Sequence, residues 1–258
     1  MSEYKDFYDT RRHETYAQDY SHYDPRSHGR YEDLVNFVRS YGLEKKRVLE
    51  IGSSGGFFQD IVDDYWGTDI AQSLSKYYHK PYRVTDGTRF PFEDQMFDAV
   101  FTIDVFEHVP DLERACLEIK RLLKPTGLLF FAPAWQCRPW AAEGYAVRPY
   151  SDFDFKGKFI KFLIPLRNSV PWRLMGIAPK RLFRHCMFVF GFRNKSIRYK
   201  KLKPNYKIFW TSDSDACNSI DPHDAILWFE SQGFTCLSHP MHFRSIMIRN
   251  GPLIFRKN

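Results

Sequence analysis

A run of small residues behind a short apolar segment constrains this chain most. Val48, Leu49 and Ile51 have the composition of a short strand that is buried on both faces. The next five residues read Gly-Ser-Ser-Gly-Gly and permit a tight turn at backbone angles that larger side chains forbid. Apolar residues over 57–65 then recur at helical spacing. This pattern predicts strand, turn and helix, a unit that binds nucleotide-like ligands, although an ordinary strand-to-helix turn would have the same composition.

Acidic residues follow three successive strand-like segments and favour the ligand-binding interpretation. Glu50 lies at the end of the first segment, Asp69 comes 17 residues after Gly52, and Asp86 precedes Gly87 after the third segment. An acidic residue at about this distance from the glycine turn contacts ribose hydroxyls in doubly wound folds. The sequence therefore predicts an α/β protein that binds a nucleoside-containing ligand at the ends of its strands.

These features resemble those of the class I S-adenosylmethionine-dependent methyltransferases, within the small-molecule branch that includes the ubiquinone methyltransferases. The resemblance covers about residues 45–135 closely and the chain from Asp221 onward loosely. One departure is Ser54, which replaces the middle glycine of the family's E-x-G-x-G-x-G loop. The motifs that carry the resemblance are Val48–Gly56, Asp69, Asp86 to Phe92, Phe97-Asp98, Glu107-His108-Val109-Pro110 and Leu123–Gly127.

The resemblance implies a Rossmann-like, doubly wound and mainly parallel seven-stranded sheet, with S-adenosyl-L-methionine as the cofactor. It places the cofactor at the glycine turn and at the acidic strand ends. The predicted cofactor-binding residues are Glu50, Gly52, Ser53, Ser54, Gly56, Asp69, Ile70, Asp86, Gly87 and Asp104.

The predicted catalytic residues follow the fourth strand, in the region that faces the transferred methyl group in the resembled fold. His108 is the candidate general base, because an imidazole titrates near neutral pH, and Glu107 is its neighbour. The alternative is that both residues only cap or orient the next helix. Asp104, Glu107 and His108 also share one face of a helical turn, and some quinone methyltransferases hold a divalent cation with a similar string. A shared face does not establish coordination, so we assign no metal here.

Three regions follow from composition. Residues 1–44 form an N-terminal helical arm that either is solvated or closes over the site, and residues 45–134 with 213–258 form the methyltransferase core. Residues 135–212 interrupt the alternation of strands and helices as a basic, aromatic-rich cap inserted before the last helix. Between Phe155 and Trp210 there are 15 Lys and Arg and no Asp or Glu. The net charge of +7 becomes −8 once these 15 cations are set aside.

This charge segregation leads to the prediction of a small-molecule or glycan acceptor, and of an anionic one drawn in by the insertion. The apolar residues among the cations indicate peripheral membrane contact as one option, and the cap's own core as another. Two rival functions stay open: an RNA methyltransferase that uses the basic insertion, and a non-catalytic cofactor-binding partner subunit. Nucleic acid is less favoured, because the Asn/Asp-Pro-Pro-Tyr/Phe string of base-modifying relatives is missing after the fourth strand.

Further predictions concern local structure, the cysteines and the location. Residues Ala71–Tyr78 and Leu112–Leu123 are predicted helices, Asp221 is the predicted N-cap of the last helix, and Asn250-Gly251 is a predicted hairpin turn. The five cysteines are widely spaced and contain no C-x-x-C pair, which favours free thiols. Without a long apolar run or a signal-peptide core, the expected location is the cytoplasm, with attachment to the inner face of the membrane as an option.

Overall fold

A seven-stranded sheet organises the core of the computed structural model, which describes residues 2–11, 23–240 and 245–258. The strand order is β3-β2-β1-β4-β5-β9-β8, with the first five strands parallel and β9 antiparallel to both of its neighbours. The predicted mainly parallel seven-stranded sheet is thereby confirmed. Its strands are β1 (Arg47–Ile51), β2 (Asp64–Asp69), β3 (Tyr82–Val84), β4 (Phe97–Ile103), β5 (Leu123–Ala132), β8 (Phe234–Cys236) and β9 (Leu253–Lys257). A separate two-stranded sheet pairs β6 (Tyr199–Lys201) with β7 (Asn218–Ile220).

The α-helices of the described residues flank this sheet or form the insertion. They are α1 (Ser2–Asp6), α2 (Tyr31–Ser40), α3 (Leu112–Leu122), α4 (Phe155–Asn168), α5 (Val170–Gly176), α6 (Ala178–Val189) and α7 (Pro222–Ser231). Helix α1 continues as a π-helical turn over Phe7–Arg11, and short 3₁₀ helices occur at Pro25–Ser27, Gln72–Tyr77 and Tyr150–Asp152. The segment predicted as a helix over Ala71–Tyr78 is thus a 3₁₀ helix.

Alternation along the strands divides the core between the two faces of the sheet. In β1 and β4, Leu49 and Val100 pack in the cluster that contains α3 and α7, whereas Val48 and Phe101 pack in the cluster that contains α2. Helix α3 buries Leu112, Ala115, Cys116, Ile119 and Leu122, the stripe that its sequence predicted. The core is therefore two layers of helices on one sheet, which fixes the carboxyl ends of the strands as a rigid edge.

Helix α7 begins where the sequence predicted. The Asp221 side chain accepts hydrogen bonds from the backbone N–H groups of His223 and Asp224, and Pro222 occupies the first helical position. The predicted hairpin turn at Asn250-Gly251 is wrong, because Cys236 lies opposite Phe255 and residues 237–252 therefore form a long connection.

The helix predicted after the glycine turn is also wrong. Residues 52–63 form consecutive turns, in which the Gly56, Gln59 and Ile61 N–H groups donate to carbonyls three residues earlier. Ser54 and Gly56 have left-handed backbone angles, with φ of 46° and 72°, and these interrupt a helical repeat. Tyr65 belongs to β2. The turn therefore presents backbone N–H groups without a helix N-terminus behind them.

The insertion is anchored to the core through one buried arginine. Arg181 of α6 donates through Nη1 to the carbonyls of Ile246 and Ile248, at 2.8 and 2.7 Å, and through Nη2 to the Asp221 carboxylate at 2.8 Å. Strand β6 of the insertion pairs with β7, which directly precedes α7. Both attachments place the insertion beside the start of α7.

Candidate active site

A cavity of about 650 Å³ opens at the carboxyl ends of β1 to β4. Its lining includes residues that follow each of these strands: Asp86 after β3, Asp69 at the end of β2, Gly52 after β1 and Asp104 after β4. Neighbouring strands are about 4.8 Å apart, so three such spacings extend the row over about 14 Å. This is the edge at which doubly wound sheets bind ligands.

The cavity brings together 11 of the 12 residues that the sequence predicted for the site. Gly56 is the one that lies elsewhere, in the wall of a smaller neighbouring cavity. A Cβ atom at Gly56 would lie 2.9 Å from the Tyr78 ring, so this glycine serves the packing of the turn. The residues that line the main cavity are Glu50, Gly52, Ser53, Ser54, Asp69, Ile70, Asp86, Gly87, Asp104, Glu107 and His108.

Asp69 and Tyr78 hold the glycine turn in place. The Asp69 carboxylate accepts from the backbone N–H of Ser54 at 2.9 Å and of Ala71 at 3.2 Å. The Tyr78 hydroxyl lies within 2.9 Å of three oxygens of Ser53 and Ser54. The Asp69 carboxylate also lines the cavity, where a ligand hydroxyl can approach it. Ser54 adopts the left-handed angle that a glycine would have taken, and its N–H is used by Asp69.

Gly52 joins the turn to the loop after β4. It has a φ of 72°, and a Cβ atom built on it would lie 2.2 Å from Cγ2 of Val105. No side chain larger than hydrogen fits there without moving Val105. The close approach sets the distance between the glycine turn and the loop that carries Glu107 and His108.

Glu50 is buried beneath the turn. Its carboxylate accepts a short hydrogen bond from the Tyr65 hydroxyl, and its backbone carbonyl accepts from the Thr68 hydroxyl at 3.0 Å. Burial raises the pKa of Glu50 well above its usual range, and the Tyr65 hydrogen bond opposes this rise. Glu50 therefore lines the cavity while its carboxyl group is held by the core.

Glu107 is an acidic residue that is buried in the wall of the cavity. Only 1% of it is exposed, and neither carboxylate oxygen has a hydrogen-bond partner of ordinary geometry among the described residues. Burial first, and then the negative charges of Asp104 and Asp213, raise the pKa of Glu107 well above its usual range. The shift favours the protonated form of Glu107, and the side chain lines the cavity.

His108 lies between two carboxylates. Its Nε2 atom is 3.5 Å from Oε1 of Glu107, and its Nδ1 atom is 3.5 Å from Oδ2 of Asp215. The Tyr8 hydroxyl donates to the same Asp215 oxygen at 2.7 Å. Carboxylates in this position orient an imidazole and stabilise the imidazolium that forms when it accepts a proton.

Residues that follow the insertion hold the loop that carries Glu107 and His108. The Asn218 side chain donates to the carbonyls of Phe106 at 3.2 Å and Val109 at 2.6 Å. The backbone N–H groups of Cys217 and Asn218 both donate to the Glu107 carbonyl at 2.9 Å. Sequence reasoning missed this clamp, because more than 100 residues separate Asn218 from its partners.

Sequence reasoning also missed several residues of the wall. Tyr4, Tyr8, Tyr23 and His28 of the N-terminal arm line the cavity, as does Asp213. The Tyr23 ring lies 4.0 Å from the Phe57 ring, centroid to centroid. Burial raises the pKa of Tyr4 and lowers that of His28. The abundance of Tyr and His in the arm was the available signal, although part of the predicted arm, residues 12–22, lies outside the described residues.

The described lining of the cavity is acidic. It contains six carboxyl side chains and no Lys or Arg. The carboxyl residues are Glu50, Asp69, Asp86, Asp104, Glu107 and Asp213. The cations of the insertion therefore do not face this cavity, and an anionic acceptor, as predicted, would have no Lys or Arg partner in the described lining.

Comparison with known proteins agrees with this geometry. Residues 49–131 match a family model described as a methyltransferase domain. Residues 49–131 therefore form a methyltransferase domain, and the predicted resemblance to the class I S-adenosylmethionine-dependent methyltransferases is confirmed. The chain is 29% identical over 118 residues to phosphoethanolamine N-methyltransferase 2 of Caenorhabditis elegans, a match that covers 39% of this chain and 27% of the relative. It is 28% identical over 118 residues to a ubiquinone biosynthesis O-methyltransferase of Coxiella burnetii, covering 38% of this chain and 50% of the relative.

The methyltransferase domain thus spans half or less of the length of these two curated relatives. Among solved structures, the chain is similar to an S-adenosylmethionine-dependent methyltransferase from Aquifex aeolicus. That match has 18% identity and a TM-score of 0.37, and it covers 45% of this chain and 76% of the other.

S-adenosylmethionine is the cofactor that the family implies, and the cavity of the methyltransferase domain fits it. Asp69 lines the cavity at the strand end that meets ribose hydroxyls in doubly wound folds, and the acidic described lining without Lys or Arg suits a ligand with a positive sulfonium. A metal ion has no comparable site in the described part of the chain. Among the described residues no three His, Cys, Asp or Glu side chains are grouped to hold an ion, and this includes Asp104, Glu107 and His108.

Proposed function

We propose that this protein is an S-adenosylmethionine-dependent methyltransferase that methylates a hydroxyl group of a small-molecule or glycan acceptor. One observation carries the proposal: a single cavity extends from Asp69 to His108, along the carboxyl ends of four neighbouring strands. A cofactor bound along the glycine turn and an acceptor bound beside His108 would therefore share one enclosed space. In-line transfer between two ligands requires such alignment.

The residues of the acceptor end have separate tasks in this proposal. Bound S-adenosylmethionine would supply an electrophilic methyl group, and the acceptor oxygen would attack it while the sulfur leaves as a thioether. His108 would take the proton of the acceptor hydroxyl, and Asp215 would stabilise the resulting imidazolium from 3.5 Å. In its protonated form, Glu107 would donate a hydrogen bond to the acceptor. Tyr4 and Tyr8 would limit the access of water.

A second candidate is methylation of an amine. The six carboxyl groups of the lining, with no Lys or Arg among the described residues there, favour an acceptor that carries positive charge. The similarity to phosphoethanolamine N-methyltransferase 2 is compatible with this candidate. A protonated amine must lose a proton before it attacks, so His108 would have the same task.

Cofactor binding is the first test. Calorimetry on the full chain should detect S-adenosylmethionine binding, and Asp69→Ala should weaken it by about 1.5 to 3 kcal/mol, the usual loss for a hydrogen bond to a charged group. Asp63→Ala is the matched control, since Asp63 is exposed and immediately precedes β2, whereas Asp69 ends that strand. Absence of binding at millimolar cofactor would contradict the proposed function.

Turnover is the second test. Release of S-adenosylhomocysteine is measured with paired acceptors that differ only in a hydroxyl or an amine, and the product is identified by mass spectrometry. Methylation of the hydroxyl member supports the leading candidate, and methylation of the amine alone supports the second. Cofactor binding without turnover on any acceptor would favour a non-catalytic partner subunit, and turnover on RNA alone would favour the RNA candidate.

A further inference from the structure

Helices α4 to α6 expose apolar side chains to an unusual extent. Of the 19 large apolar side chains that are exposed in the described part of the chain, 13 lie between Phe155 and Phe192. Scattered single residues of this kind are normal on a surface, but a contiguous group marks a contact site. The apolar residues of the insertion are thus not simply its own core, since among the positions of these three helices whose burial is described, only Gly157, Arg181, His185 and Phe188 are buried.

In α4 the exposed apolar residues form one stripe. Phe155, Phe159, Phe162 and Leu166 are spaced by four, three and four residues, so they lie on the same face of the helix. The exposed fractions are 87% for Phe155 and 68% for Phe162. This stripe has the spacing of a buried face, yet no described part of the chain covers it.

Helix α6 buries two polar residues and exposes several apolar ones. Its inward face carries Arg181, His185 and Phe188, and Arg181 is held by Asp221 and two carbonyls. Its outward face carries Leu182, Phe183 and Val189, all exposed. Apolar side chains left outside while polar ones are buried indicate that the outer face meets an apolar phase. Helix α5 packs between α4 and α6 and exposes further apolar side chains, among them Trp172.

Charge identifies the occupant of this face. Over 155–210 the chain has 15 Lys and Arg and no acid. Among the described residues of this segment, Arg181 forms an ion pair with Asp221 and Arg184 forms one with Asp224. Exposed cations such as Lys156 and Lys158 lie beside the apolar stripe. A second copy of this chain would bring like charges together, whereas an anionic lipid surface offers both an apolar layer and negative headgroups.

We propose that the outer face of α4, α5 and α6 docks on a bilayer that contains anionic lipids, with Phe155 and Phe162 inserted among the headgroups and Lys156 and Lys158 on the phosphates. Among the residues that the structure describes, no helix combines the length and apolar character needed to cross a bilayer. The contact is therefore one of a helix face lying in the interface. It does not depend on which group the active site methylates.

Vesicle flotation with the purified full chain tests the proposal. Binding to vesicles of phosphatidylcholine mixed with phosphatidylglycerol should be at least about tenfold tighter than to phosphatidylcholine alone, and high salt should weaken it. Lys156→Glu with Lys158→Glu should reduce binding to the anionic vesicles by about tenfold or more, whereas Lys45→Glu with Lys46→Glu, outside this face, should change it little.

A second pair of variants separates insertion from simple charge attraction. Phe155→Ser with Phe162→Ser should also weaken binding by about tenfold or more, because the apolar side chains enter the interface. Leu117→Ser, which alters an exposed apolar residue of α3, should bind like the wild type. Circular dichroism shows whether each variant remains folded.

Three outcomes would overturn the proposal. One is absence of vesicle binding in the wild type. Another is binding that the Phe155 and Phe162 substitutions leave unchanged. The third is self-association in solution, measured by light scattering, that these substitutions abolish while vesicles are not bound. In that last case the face is an interface between copies of the chain.

Discussion

The cavity and the outer face of the insertion are both rich in aromatic residues, yet they carry opposite charge. The described cavity lining has six carboxyl groups and no Lys or Arg, while residues 155–210 have 15 cations and no acid. The overall net charge of +7 describes neither region. A partner therefore has to be assigned to each surface separately, and the basic segment says little about what enters the cavity.

The two regions also differ in how far their charged groups are buried or hydrated. In the cavity, burial raises the pKa of Glu50, Glu107 and Asp213, so these acids lose hydration and move toward the neutral form. On the insertion, side chains such as Lys156 and Lys200 remain exposed and hydrated. The first arrangement suits chemistry on a small enclosed ligand, and the second suits attraction over a wide surface.

The largest expected effect lies in the cavity. His108→Gln should lower turnover by about 10² to 10⁴, because the acceptor proton loses its base, while cofactor affinity changes little. His79→Gln is the control, since His79 is exposed and pairs with Asp60 outside the cavity. Single-turnover kinetics with the acceptor from the screen give the measurement. A parallel loss of cofactor affinity in His108→Gln would assign this residue a structural role instead.

The next effect lies where the two regions meet. Arg181→Ala should lower the free energy of unfolding by about 3 to 5 kcal/mol, because it removes the partner of Asp221 and leaves the Ile246 and Ile248 carbonyls unpaired. Lys180→Ala, at an exposed position of α6, should change it by at most about 0.5 kcal/mol. Urea titration measures both. Equal stability of the two variants would show that the insertion does not depend on this anchor.

A smaller effect concerns pH at the same boundary. Burial lowers the pKa of His223 to about 3 and raises that of Asp224 to about 6. As pH falls below about 6.5, the unfolded chain takes up a proton at His223 and stability is lost by about 1.4 kcal/mol per pH unit.

Asp224 acts in the opposite direction. Between about pH 6 and pH 4 the folded chain takes up the Asp224 proton, and this offsets the loss at His223 by a similar amount. We expect His223→Leu to become more stable relative to wild type as pH falls from about 6 to about 4, by about 1.4 kcal/mol per unit. Urea midpoints at three pH values measure this difference. A difference that does not vary with pH would mean that His223 takes up a proton in the folded chain as readily as in the unfolded one.

The smallest expected effect concerns the exposed cations of the basic segment. Reversal of Lys200, Lys201 and Lys203 to Glu should leave the KM of a soluble acceptor within about twofold, because none of the three lines the cavity. The sequence alone predicted the opposite, a raised KM for an anionic acceptor. Steady-state kinetics at two salt concentrations distinguish these outcomes. A raised KM would indicate that the acceptor contacts the basic segment.

Local patterns carried the successful part of the sequence analysis. Strand composition and the acids at Glu50, Asp69 and Asp86 predicted the sheet and the edge that binds ligands, because parallel strands bring their carboxyl ends together. The prediction of a helix after the glycine turn was wrong, because the apolar spacing of that segment did not reveal the left-handed backbone angles at Ser54 and Gly56.

Contacts between distant residues could not be predicted in this way. Asp215 and Tyr8, which form the second side of His108, are 207 residues apart, and no periodicity relates them. The role of the insertion could not be decided from the sequence for another reason. Its apolar residues were compatible with both a core and a surface, and the sequence does not say which face of α6 is turned inward.

The Asn218 clamp has a mechanical consequence. Asn218 begins β7, β7 is paired with β6 of the basic segment, and the Asn218 side chain holds the loop that carries His108. A slip of one residue along a strand is a displacement of about 3.3 Å, which is too large for either side-chain hydrogen bond to survive. A force that displaces β6 would therefore reach the loop that carries His108 through the Asn218 side chain and through the backbone N–H groups of Cys217 and Asn218.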